Sequence, residues 1–310
     1  MDARTLLVVN PAAGGGRAAR SLDRVLEALQ PWGDFEIAVT RAGEVRPAER
    51  IVREAVARGV TRIAVLGGDG TASQALNGLR CEDGSIAPVH LALIPAGTGR
   101  DFARSTGAPR NPIAAAHALA HRATVRQVDV GVVTFPDMQE RLFLNVASFG
   151  VSAQIAHALE EYPQLKRRAG ALAFGLATVR AGAAFAPDTV ESRIDDRDAE
   201  RGPVAAMVIA NGGWFGGGMH VAPTARIDDA QLEIIRFGDL ARTDFVVSLP
   251  RLYRGTHYTH PKVRAAQGRE LLAAPVDAGA RAIEIEADGE IIGALPARFS
   301  VRPAALALLV

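Results

Sequence analysis

The chain of 310 residues holds a single cysteine, Cys81. Internal disulfides, four-cysteine zinc sites and C-x-x-C redox pairs are thereby excluded, and a reducing compartment is expected. Lysine is almost as scarce: Lys166 and Lys262 are the only two, and neither follows a glycine. A phosphate loop of the G-x-x-x-x-G-K-S/T type can be written nowhere, which removes one large class of ATPases. Charge of one sign is not in excess either, since 35 Lys plus Arg stand against 34 Asp plus Glu, a net of +1. Such a balance creates no field suited to a nucleic-acid backbone, so DNA and RNA are not expected partners. Long apolar runs are missing. The longest, Ala169 to Val179 between Arg168 and Arg180, falls short of the ~20 residues that a spanning helix needs. Leu6 to Val9 near the start is too short for a secretory signal, so the expectation is a cytoplasmic chain, peripheral to a membrane at most.

What is present is the balance of an ordinary globular protein, 48% hydrophobic and 22% charged. At roughly 150 residues per domain the length suggests two domains. Residues 5–9 form an apolar run ending at Asn10-Pro11, as a buried parallel strand would. Helical spacing over Arg17 to Leu29 and β character over Phe35 to Thr40 complete a β-α-β unit. The alternation continues: helix from Ala48 to Arg58, strand from Arg62 to Leu66, helix from Ala72 to Leu79, strand from His90 to Ile94. Helices over Asp101 to Ser105 and Ile113 to His121 follow. Residues 1–125 therefore read as an α/β domain, a parallel sheet with helices on both faces.

Beyond Val125 the texture changes. Strand-like runs at Gln127 to Thr134, Leu142 to Ser148, Thr189 to Ile194, Val204 to Asn211, Gln231 to Phe237, Ala282 to Ala287 and Phe299 to Val301 make residues 126–301 mainly β. Helical stretches at Ala153 to Leu159, Ala169 to Ala184 and Ala241 to Tyr253 interrupt them, so an antiparallel sheet or sandwich with helices attached is expected. The apolar residues 302–310 must pack somewhere, and a return to the first domain is expected.

Three glycine-rich turns follow predicted strands of the first domain: Asn10-Pro-Ala-Ala-Gly-Gly-Gly16, Gly67-Gly-Asp-Gly-Thr71 and Pro95-Ala-Gly-Thr-Gly99. In an open α/β sheet such turns gather at the carboxyl edge, where ligands bind. Glycine lets backbone N–H groups approach phosphate oxygens, and the following helix N-terminus adds positive partial charge. One such turn alone would be read as a structural corner; three at one edge favour a phosphate ligand. Gly14 to Ala19 also fits a loose dinucleotide fingerprint, with Asp34 or Glu36 as ribose ligands, but this leaves the other two turns unexplained. Asp69 is the sharper signal. A carboxylate beside a polyphosphate is repelled unless a divalent cation sits between them, which implies Mg²⁺; the plainer role is a helix cap.

With these residues in view, the chain resembles the diacylglycerol kinase catalytic-domain superfamily of lipid kinases, which includes sphingosine and ceramide kinases and the bacterial YegS-like proteins. Gly67-Gly-Asp-Gly-Thr71 resembles its nucleotide signature, and Ala92 to Arg104 its P-x-G-T-x-N-D-F-A-R stretch. The likeness continues in order through Phe143-Leu-Asn-Val-Ala-Ser148, Asn211, Phe215-Gly-Gly-Gly-Met219, Ala222-Pro223, Asp228-Asp229 and Asp288-Gly-Glu290. It implies a nucleotide-binding α/β domain, a β-sandwich-like lipid-binding domain and an active site in the cleft between them. It also implies ATP contacts at Asn10, Pro11, Ala12, Ala13, Gly14, Thr40, Gly67, Gly68, Asp69, Gly70, Thr71 and Thr98, with Asp69 and Asp101 near the nucleotide and its Mg²⁺. Asp288 matches the general base, with Glu290 beside it, and Asp229 with the carbonyls of Arg226 and Gln231 matches a structural Mg²⁺ site. The reaction asks for such groups: the attacking alcohol must lose a proton, and the phosphate oxygens need their charge offset. Read by itself, Asp288-Gly289 is a hairpin turn, a reading that a catalytic role does not contradict.

Two residues depart from the pattern. Arg100 stands where an Asn is usual and could reach a phosphate or disturb the acceptor; Ala230 replaces a Gly, where a turn with positive φ would cost roughly 1 kcal/mol. Other candidates yield to plainer readings. His117 and His121 are spaced like zinc ligands but lack the metalloprotease Glu and are expected on the surface. His257 to His260 reads as a solvated loop or a headgroup contact, and Lys166 to Arg168 before the apolar run as a buried helix or a transient membrane contact. The expected activity is phosphoryl transfer from ATP to a lipid hydroxyl. An NAD kinase-like enzyme and a nucleotide- or lipid-binding protein without turnover are the alternatives. Exposed edge strands in the second half would permit a homodimer.

Overall fold

A computed structural model of the chain describes residues 4–161, 177, 186–277 and 281–310. The helix expected over 169–184 and the basic stretch 166–168 lie outside the described residues, Ala177 excepted. Among the described residues no helix is long and apolar enough to cross a membrane. The chain divides into two compact units, Met1–Asp129 with Ala304–Val310, and Val130–Pro303.

In the first unit β1 (Thr5–Val9), α1 (Ala13–Leu29), β2 (Phe35–Val39), α2 (Pro47–Ala57), β3 (Arg62–Gly67), α3 (Asp69–Gly78) and β4 (His90–Pro95) alternate, followed by α4 (Asp101–Thr106) and α5 (Pro112–Arg122). The strands are parallel in the order β2-β1-β3-β4. Residues Ala307–Leu309 add one more parallel strand beside β4, the destination of the apolar segment after residue 302. Successive side chains of a strand face opposite ways. Leu7, Val9, Ala64, Leu66, Ala92 and Ile94 thus pack against Ala18, Val25 and Leu29 of α1 and Ala115, Ala116 and Leu119 of α5. Leu6, Val8, Ile63, Val65 and Leu91 alternate with them and are buried too, on the face covered by the packed pair α2 and α3. Burial on both faces is why these strands read as continuous apolar runs.

The second unit takes in β5 (Val125–Thr134), whose first residues belong to the first unit, then β6 (Glu140–Phe143), β7 (Val146–Gly150), α6 (Val151–Glu161), β8 (Asp188–Ile194), β9 (Glu200–Val204), β10 (Ala206–Ala210) and β11 (Leu232–Phe237). It continues with α7 (Arg242–Arg254), β12 (Val263–Gly268), β13 (Glu270–Pro275), β14 (Glu284–Ala287), β15 (Glu290–Ala294) and β16 (Ala297–Leu309), whose end is the strand beside β4. Six strands form an antiparallel sheet in the order β12-β11-β10-β7-β14-β15. Opposite it, the first part of β16 continues antiparallel into β13, β8 and β9, with β5 and β6 attached. The core between the sheets holds Phe143, Phe149, Met207, Ile209, Ile234, Leu271, Ile285 and Phe299. Alternate residues of the six-stranded sheet, including Val208, Ala210, Ile235 and Phe237, face away and pack with Val151 and Ile155 of α6.

Several boundaries differ from expectation. The single strand over 142–148 is two strands, broken at Leu144-Asn145, and the run from Val204 to Asn211 is split at Ala205 between β9 and β10. β9, β12 and β13 carry too little apolar alternation to be recognised. The segment read as a solvated loop at 257–260 is a short 3-10 helix whose first residue, His257, is fully buried. Its ring stacks on Phe237, and Nε2–H donates to the Val221 carbonyl at 2.9 Å.

Two measurements follow from this packing. A Cβ on Gly131 of β5 would lie 2.1 Å from Cζ of the fully buried Phe143, so Gly131→Ala should cost about 1–3 kcal/mol of stability in urea denaturation, partly recovered when combined with Phe143→Leu. Burial pushes His257 down to about 4, so between roughly pH 6.5 and 4 the unfolded chain takes up a proton that the folded chain refuses. Stability should fall as pH drops through that window, and in His257→Gln the unfolding reaction should bind up to one proton fewer at pH 5.5, read from the pH dependence of the urea midpoint.

Candidate functional site

Because β1, β3 and β4 are neighbours in the sheet, their carboxyl ends bring the three glycine turns together. Asn10 Oδ1 accepts the Ala12 N–H at 3.2 Å, folding the first turn over Pro11, and Asn10 Nδ2 donates to Thr71 Oγ1 at 2.9 Å, tying it to the second. Gly14 has φ +59°, and a Cβ there would fall 2.1 Å from the Ala96 carbonyl oxygen. Ala13 and Gly14 stand at the head of α1. A Cβ on Gly97 would lie 2.5 Å from Gly68 Cα, so the second and third turns meet backbone to backbone. Gly67 is as confined, with Thr71 Cβ 2.7 Å from where its own Cβ would be. Only residues without side chains permit these approaches. Gly70 is the second residue of α3, Thr40 is buried at the end of β2 with its N–H on the Val9 carbonyl at 2.9 Å, and Thr98 is exposed on the third turn.

Asp69 lies at the start of α3, and its Oδ1 accepts the Phe102 N–H at 3.1 Å, joining the second turn to α4. Oxygens of Asp69 and the buried Asp101 converge on Gly99, at 2.9 and 3.0 Å from where its Cβ would stand. Among the described residues no group of three or more His, Cys, Asp or Glu could hold a metal ion. Two converging carboxylates nevertheless suit Mg²⁺, which is bound through one or two carboxylates together with substrate phosphates and water. A small pocket beside them is lined by Gly67, Gly68, Asp69, Pro95, Arg100 and Phe102.

Of the arginines here, the sequence reading singled out Arg100 and missed Arg17, Arg104 and Arg110. Arg17, the first residue after the glycine triplet, donates from Nη1 to the Gly97 carbonyl at 2.8 Å and so clamps the first turn to the third. Arg100 has φ +54°, a region that Asn enters more readily than Arg, and its Nη1 donates to the Arg110 carbonyl at 3.1 Å. Burial first, then Arg17, Arg110 and Arg104, push its guanidinium down against the pull of Asp69. Four arginines therefore gather around turns in a chain with almost no lysine. The only hint in the sequence is that each of them stands within or beside a glycine turn or α4.

The second set of residues lies in the other unit. Asp288-Gly289 joins β14 to β15 with φ +47° and +92°, the paired positive values of a type I′ hairpin turn. The Asp288 carboxylate accepts three successive backbone N–H groups, from Leu144 at 2.7 Å, Asn145 at 3.0 Å and Val146 at 3.2 Å. Glu290 follows as the first residue of β15, half-buried. Glu286, absent from the sequence reading, is buried two residues before Asp288; it accepts the Ser148 hydroxyl at 2.8 Å and the Gly289 N–H. It thereby fixes both the turn and the strand next to it. Nothing in Glu284-Ile-Glu-Ala marks Glu286, because strand alternation sets it with Glu284 on the face opposite Ile285.

In the turn after Asp228, Asp229 Oδ1 accepts the Gln231 N–H at 3.0 Å, and Arg226 pairs with Asp228 at 3.4 Å. Ala230 has φ +59°, so the turn is kept and alanine occupies a region that costs an L-residue about 1–2 kcal/mol. His117 and His121 are exposed and stacked on each other, with ring centroids 6.2 Å apart.

Residues 4–133 match the diacylglycerol kinase catalytic domain, and residues 145–310 match the YegS C-terminal NAD kinase beta sandwich-like domain. A protein of Pseudomonas aeruginosa named "Probable lipid kinase YegS-like" is 32% identical over 98% of this chain and 93% of its own length. "Diacylglycerol kinase" of Mycobacterium tuberculosis is 27% identical over 97% of this chain and 93% of its own. The crystal structure of a diacylglycerol kinase from Bacillus anthracis superposes with a TM-score of 0.72 at 22% identity, covering 98% of this chain and 96% of that one, and shares the fold.

Glu286→Gln can satisfy only one of the two donors that Glu286 now accepts. It should lower stability by about 1–3 kcal/mol in urea denaturation and speed amide exchange at Gly289.

Proposed function

Because the chain belongs to the diacylglycerol kinase catalytic-domain family of lipid kinases, we propose that it is an ATP- and Mg²⁺-dependent kinase that phosphorylates a hydroxyl of a diacylglycerol-like or sphingoid lipid. The observation that carries this reading is the close approach of Gly14 to the Ala96 carbonyl and of Gly68 to Gly97, beside two carboxylates and four arginines. Bare backbone lets phosphate oxygens come close, and the arginines supply positive charge at the same edge.

In this reading the turns from Asn10 to Gly14 and from Gly67 to Thr71 bind the nucleotide phosphates, with Thr40 and Thr98 at the margin. Asp69 and Asp101 would hold the metal, whose chemistry is to offset charge on the phosphate oxygens. Asp288 takes the proton from the acceptor hydroxyl as it attacks the γ-phosphorus, and Glu290 stands beside it. The grip of three backbone N–H groups holds the Asp288 carboxylate in one orientation, which saves the cost of ordering it during reaction. Asp229 with the Arg226 and Gln231 carbonyls is proposed as a structural metal site. The lipid acceptor would be met at a membrane surface.

The test is transfer of label from γ-labelled ATP, with Mg²⁺, to mixed micelles of diacylglycerol, monoacylglycerol, ceramide, sphingosine or phosphatidylglycerol, with NAD as a separate acceptor. Label is expected in a lipid. In Asp288→Asn the rate should drop about 10²–10⁴-fold while calorimetry shows ATP binding unchanged. Undiminished transfer by Asp288→Asn would remove that residue from the mechanism, and label in NAD alone would overturn the lipid reading.

A further inference from the structure

The β-sandwich of the second unit is not filled where β8 runs on toward β9. On this side β12 contributes the small side chains of Ala265 and Ala266 beside Arg264, and they leave a cavity of about 200 Å³ that opens to solvent. That volume is smaller than the roughly 300–1,000 Å³ of sites for drug-sized ligands. Ile194, Met207, Ile234 and Leu271 line the apolar part.

Charge gathers around this cavity. Its lining includes Arg197, Arg236 and Arg264 against Asp198 and Glu200, so the cations exceed the carboxylates by one. Arg197 Nη2 donates to the Gln267 carbonyl at 2.8 Å. Arg236 and Arg264 both lean on the same Glu200 oxygen, at 3.5 and 3.7 Å, distances too long for strong charge-assisted hydrogen bonds. The Arg236 side chain is 15% exposed, whereas that of Glu200 is 59% exposed. A desolvated guanidinium is thus matched by a carboxylate that remains largely in water. An oxyanion that entered the cavity could engage Arg236 and Arg264 more closely than Glu200 does. Apolar walls next to that cation suit a hydrocarbon chain.

We propose that this cavity binds an anionic single-chain amphiphile, its chain between the two sheets and its phosphate or carboxylate head on Arg236 and Arg264. The site is independent of the kinase reading, since it uses none of the residues assigned to phosphoryl transfer.

Calorimetric titration of the full chain tests this with octyl phosphate, octanoate, inorganic phosphate and octanol, each below its aggregation concentration. Octyl phosphate or octanoate should bind more tightly than octanol and inorganic phosphate, and shorter alkyl phosphates should lose up to about fourfold per methylene removed. Phosphate against carboxylate affinity identifies the preferred head. Arg236→Gln should weaken octyl phosphate about tenfold or more, with Arg236→Lys recovering part of it. Ala266→Phe, at a half-buried position of an edge strand, should abolish binding by filling the cavity, with its thermal unfolding confirming the fold. Octyl phosphate binding that persists in both Arg236→Gln and Ala266→Phe overturns the proposal. So does inorganic phosphate binding as tightly as octyl phosphate, octanol binding equally well, or no binding of either anionic amphiphile.

Discussion

Three successive N–H groups cannot all point at one carboxylate from within a regular strand, because neighbouring residues of a strand direct their N–H groups to opposite sides. The Asp288 carboxylate makes that demand of Leu144, Asn145 and Val146. The chain therefore leaves β-structure at Leu144-Asn145, and this is where it passes from the sheet that contains β6 to the sheet that contains β7. The corner's carbonyls are satisfied from a third segment: Asn211 Nδ2 donates to Leu144 at 2.7 Å, and the Asn211 and Gly212 N–H groups donate to Asn145 at 2.9 and 2.8 Å. Buried backbone left unpaired here would be costly, so the hairpin carrying Asp288, the β6–β7 corner and the end of β10 fold as one hydrogen-bonded knot. A proposed general base and the topology of the sandwich thus rest on the same contacts.

The first unit solves a different problem, which is how three chain segments can meet at one edge without side chains intervening. Gly14, Gly68 and Gly97 remove the obstruction, and Arg17 and Asn10 supply the cross-links between turns. Arginine suits that clamping role because its planar fork can hold a carbonyl and still present charge to an anion. In a sequence whose cationic side chains are almost all arginine, structural ties and phosphate affinity can come from the same residues.

The α/β half was largely legible because its signals are local: apolar runs, helical spacing and glycine turns each lie within a dozen residues. The Asp288-Gly289 hairpin was legible for the same reason. The three N–H groups on Asp288 were not, since they come from residues 144–146 and no short-range pattern announces them. The cluster of Arg17, Arg100, Arg104 and Arg110 is likewise made by tertiary structure. β12 and β13 escaped notice because Val-Arg-Ala-Ala-Gln-Gly and Glu-Leu-Leu-Ala-Ala-Pro lack clear alternation; pairing with neighbours, not propensity, makes them strands. The burial of His257 illustrates the limit of reading polar residues as surface: an imidazole next to a free carbonyl can be core.

The parallel sheet of the first unit acquires its strand beside β4 from Ala307–Leu309, paired with His90–Ala92. Everything in the second unit is translated between those two partners. During synthesis the first unit can therefore assemble β1 to β4 early but must keep one flank of β4 unpaired while the whole sandwich emerges. An open edge along His90–Ala92 is a surface to which other chains can add. On the ribosome this flank is a natural place for a chaperone to act, and the protein's yield in a cell would depend on how long that edge waits for its own strand.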